Sequence, residues 1–196
     1  MKQKKYLLSF WVLGFLILGS TGCGIRSIPQ SKNAVEAGWA EVQNQYKRRA
    51  DLIPNLVKTV QGYARHEKET LKAVIEARAN ATKTQLNIDQ LTPQTLQKFE
   101  QAQQGLTAAL SKLMVVVEKY PDLKANENFR DLQAQLEGTE NRISIARRRY
   151  IETVQNYNNK ITVPPESFVN SLFYKYKKMP QFSVTEAETV TPKVEF

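Results

Sequence analysis

The sequence predicts an all-α fold, an antiparallel four-helix bundle behind an N-terminal membrane anchor. Glycine is scarce, because only Gly38, Gly62, Gly105 and Gly138 follow Gly24 in a chain of 196 residues. An all-β chain needs many tight turns and the glycines that make them. Between the prolines, apolar residues recur at spacings of three and four, which is typical of amphipathic helices. Both observations favour long helices.

The N-terminal segment is predicted to be a signal peptide of the lipoprotein type. Lys2, Lys4 and Lys5 form a positive region, and the apolar run 7–18 follows it. Small residues then lead directly to Cys23, as in bacterial lipoproteins, whose cysteine receives a diacylglyceryl group and becomes the new N-terminus. The predicted lipidation site is therefore Cys23.

An uncleaved transmembrane helix is the alternative interpretation of this segment. No charged residue lies between Lys5 and Arg26, and this stretch approaches the roughly 20 residues that cross a bilayer. Both interpretations give one topology, because positive residues before the apolar run stay inside and the rest of the chain lies outside the cytoplasm. Cys23 is the only cysteine, so no intramolecular disulfide can form. Acylation would also remove a thiol that is a liability in an oxidising compartment.

Prolines and apolar periodicity together set the expected helix boundaries. A proline inside a helix costs about 3 kcal/mol, so we expect the first helix to end near Ala50 and the next to begin with Asp51 as its cap, ahead of Pro54. A kink at Pro54 is the alternative. Thr92 before Pro93 predicts an N-cap. The four helices are expected near 31–50, 52–86, 93–119 and 127–159, with short connections that make neighbours antiparallel.

The apolar stripes of these helices are predicted to form the core. Gln103 alone interrupts the stripe of the third helix. The predicted core residues are Val35, Trp39, Val42, Tyr46, Ile53, Val57, Val60, Ala64, Leu71, Val74, Leu96, Phe99, Leu106, Leu110, Leu113, Val117, Tyr120, Phe129, Leu132, Leu136, Thr139, Ile143, Ala146, Tyr150, Val154 and Tyr157.

Two blocks of the sequence resemble the LemA family. The first is YKRRADLIPNLV at 46–57, and the second is YPDLKANENF at 120–129 followed by ENRISIAR at 140–147. The resemblance covers 30–182. It implies an antiparallel four-helix bundle behind an N-terminal membrane anchor, and it implies no enzyme activity, since the family has no assigned catalytic residues.

The residues themselves offer little for catalysis. His66 is the only histidine and Cys23 the only cysteine, which excludes multi-histidine zinc sites and zinc clusters. The sequence also lacks a glycine-rich phosphate loop and a nucleophile elbow. We therefore predict no enzyme, no cofactor and no metal site, and a hydrolase remains a third, weaker class. His66 lies in a polar run and is expected on a solvated helix face.

Polar residues of the two blocks have two interpretations. In the first, they pair across helices and fix the register of the bundle, because a buried polar group without a partner costs about 1–3 kcal/mol. Alternatively they form an exposed lattice of ion pairs that contributes little. These residues are Arg48, Arg49, Asp51, Glu140, Asn141 and Arg142.

Positive charge near the C-terminus suggests a possible membrane contact. The formal net charge is +9, of which +6 remains when the three lysines of the signal are removed. Lys175, Lys177 and Lys178 cluster among aromatic residues, which would suit anionic lipid or cell-wall polymer. The alternative is that Phe173, Tyr174, Tyr176 and Phe182 cap the end of the bundle. Nucleic acid is not an expected partner outside the cytoplasm.

The sequence thus predicts a membrane-anchored, non-enzymatic interaction or scaffold protein of the bacterial envelope, with an unidentified protein partner. A binder of anionic lipid or wall polymer is the alternative function. The predicted segments are a signal peptide or transmembrane anchor at 1–22, a tether at 23–30, the helical bundle at 31–182 and a flexible tail at 183–196.

Overall fold

The structure is a computed structural model that describes residues 22–84 and 86–182. These residues contain no strand, and the all-helical prediction is confirmed. A 3-10 turn at Ile88–Gln90 precedes the third α-helix, and a π-helical turn at Asn170–Tyr174 follows the sixth. The helices are α1 (Gly22–Tyr63), α2 (Lys68–Lys83), α3 (Pro93–Val117), α4 (Pro121–Ala125), α5 (Glu127–Thr162) and α6 (Glu166–Val169).

The predicted end segments fall largely outside this range. Most of the signal peptide and the whole tail at 183–196 lie outside the described residues, while the expected tether 23–30 belongs to α1. Within the described part of the chain, no helix is long and apolar enough to cross a membrane.

The chain divides into two compact units. Of the described residues, unit 1 holds 22–37 and 152–179, and unit 2 holds 38–151 and 180–182. Both α1 and α5 supply residues to both units, so the predicted body 31–182 comprises parts of each.

Unit 2 has an apolar core to which α1, α2, α3 and α5 all contribute. The predicted core residues are buried in the structure, except that Leu132 and Tyr120 are only partly buried. The apolar periodicity therefore gave the correct face of every long helix. The core cluster consists of Ile53, Leu56, Val57, Val60, Ala64, Leu71, Val74, Ala81, Leu106, Leu110, Leu113, Val117, Leu123, Phe129 and Leu136.

The predicted helix boundary at Ala50 and Asp51 is wrong, because α1 continues through Pro54 to Tyr63. Proline has no N–H, so the carbonyl of Ala50, four residues earlier, lacks its helical donor. The Nε of Arg78 in α2 donates a hydrogen bond of 2.7 Å to that carbonyl oxygen. A side chain from another helix thus replaces the missing donor and offsets part of the cost of the proline.

A second proline within α1 is accommodated in the same way. Pro29 leaves the carbonyl of Ile25 without its helical donor. The hydroxyl of Tyr174, in the π-helical turn, donates to that oxygen at 2.7 Å. Both contacts lie within a single unit, the first in unit 2 and the second in unit 1.

The chain reverses direction between α1 and α2, at 64–67, and not at the predicted boundary near Ala50.

The predicted cap at Thr92 is confirmed, since its hydroxyl accepts from the backbone N–H of Thr95 at 3.1 Å. Asn126 caps the start of α5, and its side-chain oxygen accepts from the N–H of Phe129 at 3.0 Å. Polar caps thus satisfy the free N–H groups at two helix starts.

The role of Arg78 can be measured by a double-mutant cycle with Pro54. Arg78→Met leaves the buried carbonyl of Ala50 without a donor, and we expect a loss of about 1–3 kcal/mol in the free energy of unfolding. In a Pro54→Ala background the new N–H at position 54 takes that carbonyl, so the same Arg78→Met change should cost at least 1 kcal/mol less. Equal costs in the two backgrounds, measured by urea unfolding, would contradict this account of the continuous helix.

Candidate functional site

A buried arginine joins three helices of unit 2 through its guanidinium. The side chain of Arg49 in α1 is 2% exposed, and its Nη1 lies 2.7 Å from Oε1 of Glu140 in α5. Its Nη2 donates to Oε1 of Gln103 in α3 at 2.5 Å, and Nη1 donates to the hydroxyl of Thr107 at 3.1 Å. The guanidinium also lies over the ring of Tyr46, 5.1 Å from its centroid. Nη1 and Nη2 thus use their N–H groups inside the protein, while Nε is buried without a hydrogen-bond partner among the described residues.

Gln103 extends this network to α2, the one long helix that Arg49 does not contact through its guanidinium. Its Nε2 donates to the carbonyl of Ala81, in the last turn of α2, at 3.2 Å. The residue that interrupts the apolar stripe of α3 is therefore a buried partner of Arg49. Such a network favours one register of the helices, because any shift would leave buried polar groups unpaired.

The cross-helix hypothesis holds for some of the polar residues of the two blocks and fails for the others. Arg49 and Glu140 form the predicted pair across helices. The remaining four are exposed, as the alternative interpretation expected: Arg48, Asp51, Asn141 and Arg142.

Replacing Arg49 should cost more than replacing both Arg49 and Gln103. Arg49→Met leaves the buried side-chain oxygen of Gln103 without a donor, and we expect a loss of about 1–3 kcal/mol in the free energy of unfolding. Adding Gln103→Leu removes the stranded group, while Ala81 keeps the hydroxyl of Thr84 as a donor at 3.1 Å. The double variant should thus regain part of the loss in chemical unfolding. A double variant that is less stable than Arg49→Met would show that the pair matters for packing instead.

In unit 1, two asparagines hold the chain that follows the π-helical turn. The side chain of Asn158 in α5 accepts from the N–H of Met179 and donates to its carbonyl, each at 2.9 Å. Asn170 makes the same pair of bonds to the backbone of Tyr176, at 3.0 and 3.1 Å. Neither asparagine was predicted from the sequence, because an amide side chain in a helix does not reveal which backbone it will contact.

Two buried tyrosines contribute further bonds to this stretch of chain. Burial raises the pKa of the Tyr157 hydroxyl to about 12, with a smaller contribution from Tyr176. Burial also raises the pKa of Tyr150. Both hydroxyls therefore stay protonated at neutral pH and donate to backbone carbonyls, Tyr157 to Lys177 in unit 1 at 3.1 Å and Tyr150 to Pro180 in unit 2 at 3.0 Å.

The C-terminal part of unit 1 also packs on the first turns of α1. The hydroxyl of Ser27 donates to Oε1 of Glu166 at 2.7 Å. Nζ of Lys32 lies 5.3 Å from the centroid of the Tyr176 ring, and the Tyr174 bond to Ile25 lies in the same region. This region begins two residues after Cys23. The backbone of Cys23 belongs to α1, but its side chain lies outside what the structure describes.

The predicted membrane contact is exposed, and the aromatic residues around it have different roles. Phe182, in unit 2, is buried against Trp39 and Tyr150, as the capping interpretation expected. Tyr174 and Tyr176 stack on each other, whereas Phe173 is 70% exposed. We use the name C-terminal face for the exposed residues Phe168, Leu172, Phe173, Lys175, Lys177 and Lys178.

A second surface feature is a groove of about 710 Å³ between the end of α1 and α2 in unit 2. Among its lining residues four are basic and none is acidic. Ile75, on one wall, is 52% exposed, and Lys72 has only an exposed partner, Glu76, at 3.7 Å. We call this the basic groove; its lining consists of Val57, Lys58, Gln61, Gly62, Arg65, Lys68, Leu71, Lys72 and Ile75.

His66 lines neither the C-terminal face nor the basic groove. His66 is exposed in the turn between α1 and α2. Across 22–84 and 86–182, no group of three or more histidine, cysteine, aspartate or glutamate residues is placed to hold a metal ion.

Comparison with known proteins identifies the family. The sequence profile of the LemA family matches residues 38–196. The chain belongs to the LemA family. The resemblance seen in the two sequence blocks is thereby confirmed. A relative named Protein LemA, from Metamycoplasma hominis, is 22% identical over 160 residues, which cover 81% of this chain and 69% of the relative. Arg49, Gln103 and Glu140 all lie within the part of the chain that the LemA family model matches.

Proposed function

We propose that this LemA family protein is a membrane-anchored, non-enzymatic interaction or scaffold protein of the bacterial envelope. Its four long helices would form an antiparallel four-helix bundle outside the cytoplasm. Contacts within unit 2 support the bundle: Trp39 meets Tyr150 while Arg49 meets Glu140, so α1 and α5 run in opposite directions there. The anchor would be lipidated Cys23 or, alternatively, an uncleaved N-terminal helix.

The mode of anchoring can be decided by metabolic labelling. A thioether lipid needs the sulfur of Cys23, so Cys23→Ser should abolish incorporation of a fatty-acid analogue and leave a longer, unprocessed chain. The measurement is gel fluorescence of the labelled protein together with its mass. Absence of label from the wild-type chain would favour the uncleaved helix.

The basic groove is the observation that carries the scaffold proposal. Four cationic side chains surround an apolar wall, and no carboxylate is among the lining residues, although Lys72 pairs with the exposed Glu76 outside the lining at 3.7 Å. An amphipathic helix of a partner, with an apolar stripe between acidic residues, complements this surface in both charge and hydrophobicity. A partner protein with such a segment is thus the proposed occupant.

A photo-crosslinker in place of Ile75 tests this proposal in intact cells. Ile75 is 52% exposed on the groove wall, and Val115 on α3, 67% exposed, provides a control position outside the groove. We expect one dominant protein adduct at position 75 and none at 115. Charge reversal at Lys58, Lys68 and Lys72 should remove the adduct, because it removes the attraction to an acidic partner.

A steric variant separates occupation of the groove from loss of charge. A Cβ added at Gly62 meets nothing within 4 Å, and the same holds at Gly105 and Gly138. Gly62→Leu should therefore fill the groove without damaging the fold and should suppress the adduct at Ile75. Gly105→Leu, outside the groove lining, is the matched control and should leave the adduct intact. An adduct that survives both Gly62→Leu and charge reversal would refute binding in the groove.

A binder of anionic lipid or wall polymer is the second candidate function. The observation that favours it is the C-terminal face, where three exposed lysines follow exposed apolar residues in the chain. If crosslinking at Ile75 gives no protein adduct, this candidate becomes the stronger one.

A further inference from the structure

We propose that the C-terminal face inserts into the surface of the membrane that carries the anchor. Phe168, Leu172 and Phe173 would enter the boundary between headgroups and acyl chains, and the adjacent lysines would bind anionic headgroups. This inference rests on the membrane anchoring proposed above, and it adds a second contact between protein and bilayer.

The apolar residues of the C-terminal face are largely exposed. Phe168 is 65% exposed, Leu172 is 73% exposed and Phe173 is 70% exposed. Of the nine large hydrophobic residues that are exposed in the described chain, five belong to unit 1, the smaller unit. Burial in the protein thus does not account for these three side chains. Phe168 and Leu172 are also four residues apart in a continuous helical stretch, which brings them to one side of it.

Positive charge lies next to these apolar residues in the chain. Lys175, Lys177 and Lys178 follow the apolar residues directly and are all exposed. None of them forms a salt bridge within the described residues. Apolar residues next to free cations are the combination that binds an anionic bilayer surface, because the first are removed from water while the second attract the headgroups.

The C-terminal face also belongs to a segment that contacts the N-terminal end of α1. Ser27 binds Glu166, and Tyr174 binds the carbonyl of Ile25, so the segment that carries the face is fixed to the first turns of α1. Ile25 follows the proposed lipidation site by only two residues. A bilayer held at Cys23 is therefore at high effective concentration near the face, and a contact that is weak by itself can still form.

Tryptophan fluorescence in reconstituted vesicles tests the insertion. The full-length chain with Trp11→Phe and Leu172→Trp is placed in vesicles of phosphatidylcholine and phosphatidylglycerol with brominated acyl chains, which quench only tryptophans that reach them. The control is Val115→Trp in the same background, since Val115 is 67% exposed and lies in unit 2. Trp39 is present in both proteins and is 2% exposed.

We expect the tryptophan at 172 to be blue-shifted and quenched at least twofold more strongly than the one at 115. Lys175→Gln, Lys177→Gln and Lys178→Gln together should reduce this difference, and high salt should do the same through screening. Circular dichroism should be unchanged, because the backbone around these lysines is held by Asn158, Asn170 and Tyr157.

Flotation of the same vesicles separates the two proposals. The chain could float with the vesicles while the tryptophan at 172 shows the same quenching as the one at 115. That result would support the anchor and overturn the insertion. A chain that does not float overturns the anchoring and, with it, the insertion. Loss of quenching in the Phe168→Ser and Phe173→Ser double variant, with flotation retained, would support insertion of the apolar residues.

Discussion

Each of the two units depends on keeping its part of α1 helical through an internal proline. Each proline leaves the carbonyl four residues earlier without its helical donor. Each of those carbonyls instead accepts a hydrogen bond from a side chain elsewhere in the chain. Arg78 donates to the carbonyl of Ala50, and Tyr174 donates to that of Ile25. The first bond links α1 to α2, and the second fixes the C-terminal segment to the start of α1. The continuous helix also moves the first chain reversal to 64–67, which brings Lys58 and Lys68 to one groove.

The sequence predicted the buried faces well because apolar periodicity is a local signal with a strong energetic cause. The cap at Thr92 was also predicted, because an N-cap residue directly before a proline is likewise a local pattern. The predicted helix boundary near Pro54 was wrong. The cost of a proline was judged correctly, but the donor that compensates for it belongs to Arg78, 24 residues further along the chain. A rule based on local preference cannot include such a partner. The lysines of the C-terminal face were visible as a cluster, whereas the asparagines that hold their backbone were not.

Arg49 illustrates a different limit of sequence reasoning. Its block contains three basic residues in a row, Lys47, Arg48 and Arg49, of which only the last is buried. The choice follows from helical phase, since Arg49 lies four residues before Ile53 and three after Tyr46, both of them core residues. Its partner Gln103 stands where the stripe of α3 lacks an apolar residue. A polar residue in the stripe of one helix and a cation in phase with the stripe of another can thus be paired before a structure is known.

The C-terminal face has a chemistry that the fold does not require. Its backbone is held by amide and hydroxyl groups of α5 and the π-helical turn, and none of these bonds uses a lysine side chain. Neutralising the lysines should therefore cost little stability, and apolar side chains that are 65–73% exposed add little to the core. Folding alone would be equally well served by polar residues at these positions. Apolar and cationic side chains together at such sites thus indicate a surface outside the protein, and the nearest one that the sequence predicts is the membrane at the N-terminus of α1.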